Sequence, residues 1–274
     1  MASGPSAPAS KCRAATSTTP PRPRPPRPRT AGSAILIEAI FKRHCRRYGY
    51  RRIAAELSDA GEVCAPDRIR RIMRQRGLRA IQPKTYVPKT SDGRADQPSP
   101  NLLLGQPLPA QPDEVWAADI TFIPTAAGGL YLAVVIDLCS RKIVGWSLAD
   151  HLRADLVIAA LQQALGSRRA RPGLIFHSDR GSQYGSGPFR ELLRAAGIRQ
   201  SMSARANSYH NAWTESFIGT LKTEMLPDGA FIAHADANTE IFAYIEAYYN
   251  THRKHSSLGY KTPATFEAQI NPKN

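Results

Sequence analysis

The feature that most constrains the fold is a block of three β-rich runs in residues 115–148, separated by short breaks. "VWAADITFIPT" alternates and turns at Pro124, "GLYLAVVIDL" is almost continuously apolar, and "RKIVGWSL" is a third run. Runs rich in Val, Ile, Leu and aromatic residues, with so little chain between them, form consecutive hairpin-linked strands. The period then changes. Residues 153–166 are amphipathic at helical spacing, 173–177 read as a strand, 187–196 as a helix and 198–202 as a brief strand. Helices are expected over about 209–225 and 236–250. Three meandering strands followed by alternating helix and strand predict a mixed α/β sheet with helices on its faces. That order is compatible with a ribonuclease-H-like fold, and with others.

The charge is divided unevenly along the 274 residues, a length that accommodates one large domain and a small one. Residues 1–80 hold 18 Lys and Arg against 5 Asp and Glu; the remainder holds 19 against 17, within a net charge of +15. A basic front joined to a nearly neutral body is the footprint of a polyanion binder, most often of nucleic acid, although a basic solvated surface has the same composition. Residues 1–33 form a Pro/Arg-rich leader ("PPRPRPPRPRT") expected to be extended and disordered. Residues 34–80 divide into three helical segments, about 34–47, 50–60 and 66–77, the last opened by Pro66 and closed by Gly77. Ile37, Ile40, Phe41, Ile53, Leu57, Ile69, Ile72 and Met73 fall on inner faces, and Arg68, Arg70, Arg71, Arg74 and Arg76 are left outside. This is a helix-turn-helix in outline, or a plain basic three-helix bundle; in the first reading Arg68, Arg71 and Arg74 are candidate DNA contacts. Seven prolines then punctuate a linker over residues 81–113, and the body occupies 114–270.

Other classes find no support. The four cysteines show no CxxC pair and no His at metal-finger spacing, which fits free thiols in a reducing compartment. No apolar run approaches the roughly 20 residues of a membrane span, and the polar N-terminus has no signal-peptide core. A soluble, intracellular protein is expected.

"HSDRGSQY", residues 177–184, places an acid where a strand leaves the core. A carboxylate there can bind a hard divalent ion if others converge on it, since magnesium takes oxygen ligands. The candidates are Asp119, Asp137, Glu191, Glu215 and Glu224. Asp119 lies among apolar and β-branched neighbours, where an unpaired charge is costly. Asp137 is similar, with Arg141 as a possible structural partner. Glu215 shares a helix face with Asn211, Gly219 and Lys222, all within about 40° around the axis, while Trp213, Phe217, Leu221 and Met225 lie more than about 80° away. A solvated face would look the same. His177, Ser178 and Asp179 do not form a hydrolase triad, because adjacent residues of an extended chain point to opposite faces. His177 reads as a structural or supporting group, and Trp116 and Trp213 read as core. The glycines after Asp179 are expected to leave backbone room for DNA.

Asp179 and Glu215 have 35 residues between them, with Asp119 upstream on the first strand. That spacing, together with "GLYLAVVIDLCSRKIVGWSL", "LIFHSDRGSQYGS", "GIRQSMS", "NAWTESFIGTLKTE" and "YNTHRKHSSLGYKTPATFE" in this order, resembles the second-frame (OrfB-type) transposases of bacterial insertion sequences, with their retroviral-integrase-like core. The upstream "YGYRRIAAEL…RIRRIMRQRGLRA" resembles the helix-turn-helix segment of the same family, so the resemblance covers about residues 35–270. It implies a ribonuclease-H-like core behind a small all-α domain, in the bacterial cytoplasm on the nucleoid. It also implies that Asp119, Asp179 and Glu215 hold two Mg²⁺ or Mn²⁺ ions for DNA cleavage and strand transfer at element ends. Lys222 and Asn211 would then touch DNA. The implied partners are double-stranded DNA, further copies of the chain and an upstream-frame protein, or a fusion with it. A nuclease without strand transfer and a catalytically silent DNA-binding regulator are the competing readings. His210 departs from the family, which often has Asp there.

Overall fold

The computed structural model describes residues 30–82, 98–168, 171–203, 212–226 and 229–270. Residues 1–29 of the leader, His210 and Asn211 lie outside the described residues, and the leader's last four residues, expected to be disordered, are helical in α1. Helices α1 (Thr30–Arg43), α2 (Tyr50–Asp59) and α3 (Pro66–Gln75) enclose a small core of Ile37, Phe41, Tyr48, Ile53, Leu57, Ile69 and Ile72. Pro66 opens α3 at a position where its missing N–H costs nothing, and Asp67 complements the helix dipole there. Arg70, Arg71 and Arg74 are exposed on α3. One of the five expected outward arginines differs: Arg68 is half-buried with its Nε enclosed, whereas Arg76 is exposed and donates to Glu38 at 2.8 Å.

The body is built on β1 (Val115–Ile123), β2 (Leu130–Asp137) and β3 (Ile143–Ala149), an antiparallel meander as the three β-rich runs require. Helix α4 (Ala154–Ser167) returns the chain across the sheet. β4 (Ile175–Ser178) then pairs parallel to β1, and β5 (Arg199–Met202) parallel to β4. The order is β3-β2-β1-β4-β5. Alternation along β1 supplies two cores: Trp116, Ala118 and Ile120 face α4 and α6 (Gly187–Ala195), whereas Val115, Ala117 and Ile123 face α7 (Ala212–Met225) and α8 (His234–Phe242). Helices on both faces of a mixed five-stranded sheet make the body ribonuclease-H-like. Gly145 of β3 lets α4 approach closely, since a Cβ there would lie 2.2 Å from the Ala160 carbonyl oxygen.

Some elements differ from the sequence expectation. The helix expected over 236–250 starts at His234 and continues beyond α8 as a π-helical stretch, Ala243–Tyr249, in which the N–H of Asn250 reaches back to the Ile245 carbonyl. The short helix α5 (Ser182–Gly185) and the last helix α9 (Pro263–Ile270) were not anticipated, being too short or too weakly patterned to register as periods. Part of the expected linker is ordered on the sheet. Ser99 Oγ donates to Gln200, the Leu102 N–H to Ser201 Oγ, and the Met202 N–H to the Pro100 carbonyl, so this segment covers the free edge of β5.

The helical unit is docked on the body. Tyr48 Oη accepts the Lys254 N–H at 2.8 Å and donates to the His252 carbonyl at 3.0 Å, while Arg52 Nε donates to the Lys254 carbonyl. His44 stacks on Tyr48 and meets Tyr248 Oη at 3.2 Å; Arg47 lies 4.5 Å over the Tyr248 ring. Lys254 pairs with Asp59.

Candidate active site

Register brings two of the acids together. In the parallel β1–β4 pair, Val115 faces Ile175, Trp116 faces Phe176 and Ala117 faces His177, a constant offset of 60. Carried two residues on, the same offset sets Asp179, the first residue beyond β4, beside Asp119. Both share the parity of Val115, Ala117 and Ile175, which points them to the face packed by α7. Glu215 is exposed in the first turn of that helix, where a carboxylate is favoured by the dipole. Asp119, Asp179 and the helix that carries Glu215 therefore lie on one side of the sheet.

Their charges interact. Burial is the main cause raising the Asp119 carboxyl to about 7, reinforced by Asp179 and Glu215, against the Ile120 N–H that it accepts at 2.8 Å. Lys222, two turns beyond Glu215, opposes the same shift from close enough to act on Asp119, while burial lowers its own ammonium pKa. The donor set is all carboxylate oxygen, which fits a hard divalent cation that would relieve this repulsion. Among the described residues no three His, Cys, Asp or Glu side chains close into a metal cage.

Asp179 is fixed locally. Its Oδ1 accepts the Gly181 N–H at 2.9 Å, and a Cβ on Gly181 would lie 3.1 Å from that same oxygen. The glycine thus makes room for the Asp179 carboxylate itself. His177 is buried and meets Ser201 Oγ at 2.9 Å, and Ser178 donates to the Asp179 carbonyl, so neither is poised as base or nucleophile. Trp116 is fully buried; Trp213 is half-buried.

The other acids take structural positions. Asp137 accepts from the N–H groups of Asp113, Cys139 and Ser140 and from Ser140 Oγ, which ties the β2–β3 turn. Asp137 meets Arg141 through the backbone, its carbonyl accepting the Arg141 N–H at 2.9 Å, while the Arg141 guanidinium stacks on Trp213 rather than on the Asp137 carboxylate. Glu224 is buried, paired to Arg253 at 2.8 Å and bonded by Tyr244 Oη. It lies nine residues from Glu215, half a revolution around α7, and therefore in the core stripe with Phe217 and Leu221. Glu191 is exposed on α6, across the sheet from α7. Sequence reasoning missed Tyr184, whose buried hydroxyl has no hydrogen-bond partner among the described residues and feels the charges of Asp119 and Asp179. Nothing in its local pattern separated it from an ordinary core tyrosine.

Comparison with known proteins gives a consistent picture. An HTH-like domain family matches residues 31–86, and two integrase core domain families match residues 109–208 and 196–263. The chain is 43% identical over 231 residues to a Lactococcus lactis protein named transposase for insertion sequence element IS904, covering 84% of this chain and 91% of the relative. It is 38% identical over 232 residues to the Escherichia coli transposase InsF for insertion sequence IS3A, covering 85% and 81%. A structure of the HTLV-2 integrase catalytic core domain in complex with magnesium matches at a TM-score of 0.43 and 19% identity, over 57% of this chain and 97% of that one.

Proposed function

The chain belongs to the insertion-sequence transposases with an integrase core, a family of polynucleotidyl transferases, and from that premise we propose that it cuts and joins DNA with Asp119, Asp179 and Glu215. The observation that carries this reading is the 60-residue register offset of β1 and β4, which, carried two residues on, brings Asp179 to the level of Asp119 on the sheet face packed by α7, the helix that carries Glu215. Their mutual electrostatic coupling supports it.

In this reading the three carboxylates hold Mg²⁺ or Mn²⁺, two ions in all. Bound there, the ions would supply Lewis-acid activation of the attacking oxygen and charge neutralisation at the scissile phosphate and the leaving 3′ oxygen. The protein's own part is positioning. Asp119 and Asp179 are held by strand register and by the Gly181 N–H, and Glu215 by the helix that packs Phe217 and Leu221 into the sheet. Lys222 presents an ammonium beside Asp119 from the same helix face as Glu215, suited to a DNA phosphate. Water attacks the phosphodiester at the element end, and the freed 3′ hydroxyl then attacks another strand; neither step needs a nucleophilic side chain. The exposed Arg71 and Arg74, flanked by Arg68, lay a basic helix face on the duplex, and Asn211 contributes from the residue before α7. Double-stranded element ends, target DNA, further copies of this chain and an upstream-frame protein are its partners, on the bacterial nucleoid.

The test uses the full chain with labelled duplexes carrying element ends and Mg²⁺, with Asp179→Asn in parallel. Cleaved and joined products from the unsubstituted chain alone are expected. Cleavage without joining would make it a nuclease, and binding without cleavage in either protein would make it a silent regulator.

A further inference from the structure

The β2–β3 turn has an unusual resident. Its backbone is closed twice, by the Arg141 N–H on the Asp137 carbonyl and the Asp137 N–H on the Lys142 carbonyl, both at 2.9 Å. The Asp137 carboxylate spans the same turn with its contacts to Cys139 and Ser140. These bonds hold Arg141 at φ +63°, a left-handed conformation that disfavours any residue with a Cβ. The result is an inward side chain: Arg141 is only 8% exposed, and its guanidinium carbon stands 3.6 Å from the centroid of the Trp213 ring. Among the described residues its Nε and Nη1 are enclosed with no hydrogen-bond partner. Asp137, the nearest buried carboxylate to expect as a partner, already accepts four other hydrogen bonds.

A strained backbone and a desolvated cation are each unfavourable, and persist where the surroundings over-determine them. What both deliver here is one contact. Trp213 is the second residue of α7 and lies two positions before Glu215, on nearly the opposite side of the helix. Holding the guanidinium over the indole fixes the rotation of the first turn of α7 about its axis. That rotation decides where the Glu215 carboxylate points. We propose that Arg141 is a positioning residue for Glu215, acting through its stack on Trp213.

The inference rests on Glu215 being the third acid, and its test separates the two. Full-length Arg141→Met, Arg141→Lys, Trp213→Phe, Trp213→Leu and Glu215→Gln variants are compared by Mn²⁺ calorimetry, by the Mn²⁺ dependence of cleavage, and by tryptophan emission. Arg141→Met and Trp213→Leu are expected to weaken Mn²⁺ binding about tenfold and to shift the half-saturating concentration equally, with cleavage recovering at high Mn²⁺. Trp213→Phe, which keeps a ring under the cation, stays close to the unsubstituted chain; Arg141→Lys, which loses the plane, falls between. The Trp213 contribution to emission, taken as the difference from Trp213→Phe, shifts in Arg141→Met. If Arg141→Met lowers only the melting temperature and leaves Mn²⁺ affinity and emission alone, Arg141 is merely structural and the proposal falls. If Arg141→Met does not fold, Trp213→Leu decides in the same way. Loss of cleavage in Glu215→Gln keeps the reading of the acids intact in that case; undiminished cleavage there overturns that reading first.

Discussion

Asp119 on β1 and Asp179, the first residue beyond β4, are 60 residues apart in sequence, the same offset as the Val115–Ile175, Trp116–Phe176 and Ala117–His177 pairs of the parallel β1–β4 ladder. Burial, reinforced by the charges of Asp179 and Glu215, opposes the ionisation of Asp119. Its pKa of about 7 lies above the ordinary 3.8, so the folded chain keeps a proton that the unfolded chain loses. Stability from this group is present below the unfolded value and falls as pH rises through that window. Asp119→Asn is therefore expected to raise the melting temperature at pH 8 without divalent ions, by roughly 2–6 °C. It should leave it unchanged at pH 3.5 and abolish cleavage throughout. Calorimetric scans at the two pH values check the sign; a lower melting temperature at pH 8 would show that the apo acids do not repel.

The two glutamates of α7 should separate cleanly. Glu215 is exposed, so Glu215→Gln is expected to leave the denaturation midpoint within about 0.5 kcal/mol while removing activity. Glu224→Ala strands the buried Arg253 guanidinium and the Tyr244 hydroxyl, a loss of about 3–5 kcal/mol. Urea titrations of both variants measure the contrast, and equal losses would contradict the opposed faces.

Gly145→Ala tests how closely α4 approaches the sheet. The added methyl meets backbone at Ala160 and Ala164 rather than a side chain that can swing away. A destabilisation of about 1–3 kcal/mol or more is expected, with the acids themselves untouched. A neutral result in thermal melts would mean that α4 shifts freely.

Docking of the helical unit should weaken in acid. Burial, with the charges of Arg43, His252, Arg47 and Lys254, depresses His44 to about 4, and burial with Arg253, Arg52 and Arg141 depresses His255 to about 3. Glu56, 3.7 Å from His44, is the one facing carboxylate within ion-pair reach among the described residues. Both histidines accept protons more readily when unfolded, so stability is present above about pH 6.5 and declines as pH falls toward 4. Melting temperature is expected to drop over that range, and less steeply in His44→Phe, which keeps the stack on Tyr48. An unchanged slope in that variant would remove His44 from the account.

The order of strands and helices was legible because alternation and helical spacing are properties of contiguous residues. β1 to β3, α4 and the core stripes of α2 and α3 follow from sequence alone, as does the separation of Glu215 and Lys222 from Phe217 and Leu221 on one wheel. The same wheel carried Glu224 into the core stripe, but only Arg253, 29 residues on, explains how a carboxylate is tolerated there. Pairings across long separations have no local signature. Tyr48 closes on Lys254 from 206 residues away, and Arg141 abandons nearby Asp137, already saturated by backbone donors, for Trp213. The sequence thus determined which faces are apolar and which acids are available, because period and spacing are covalent facts. Which acids meet, and what holds them at that angle, was decided by strand register and side-chain packing, since both depend on atoms that only the folded chain brings within reach.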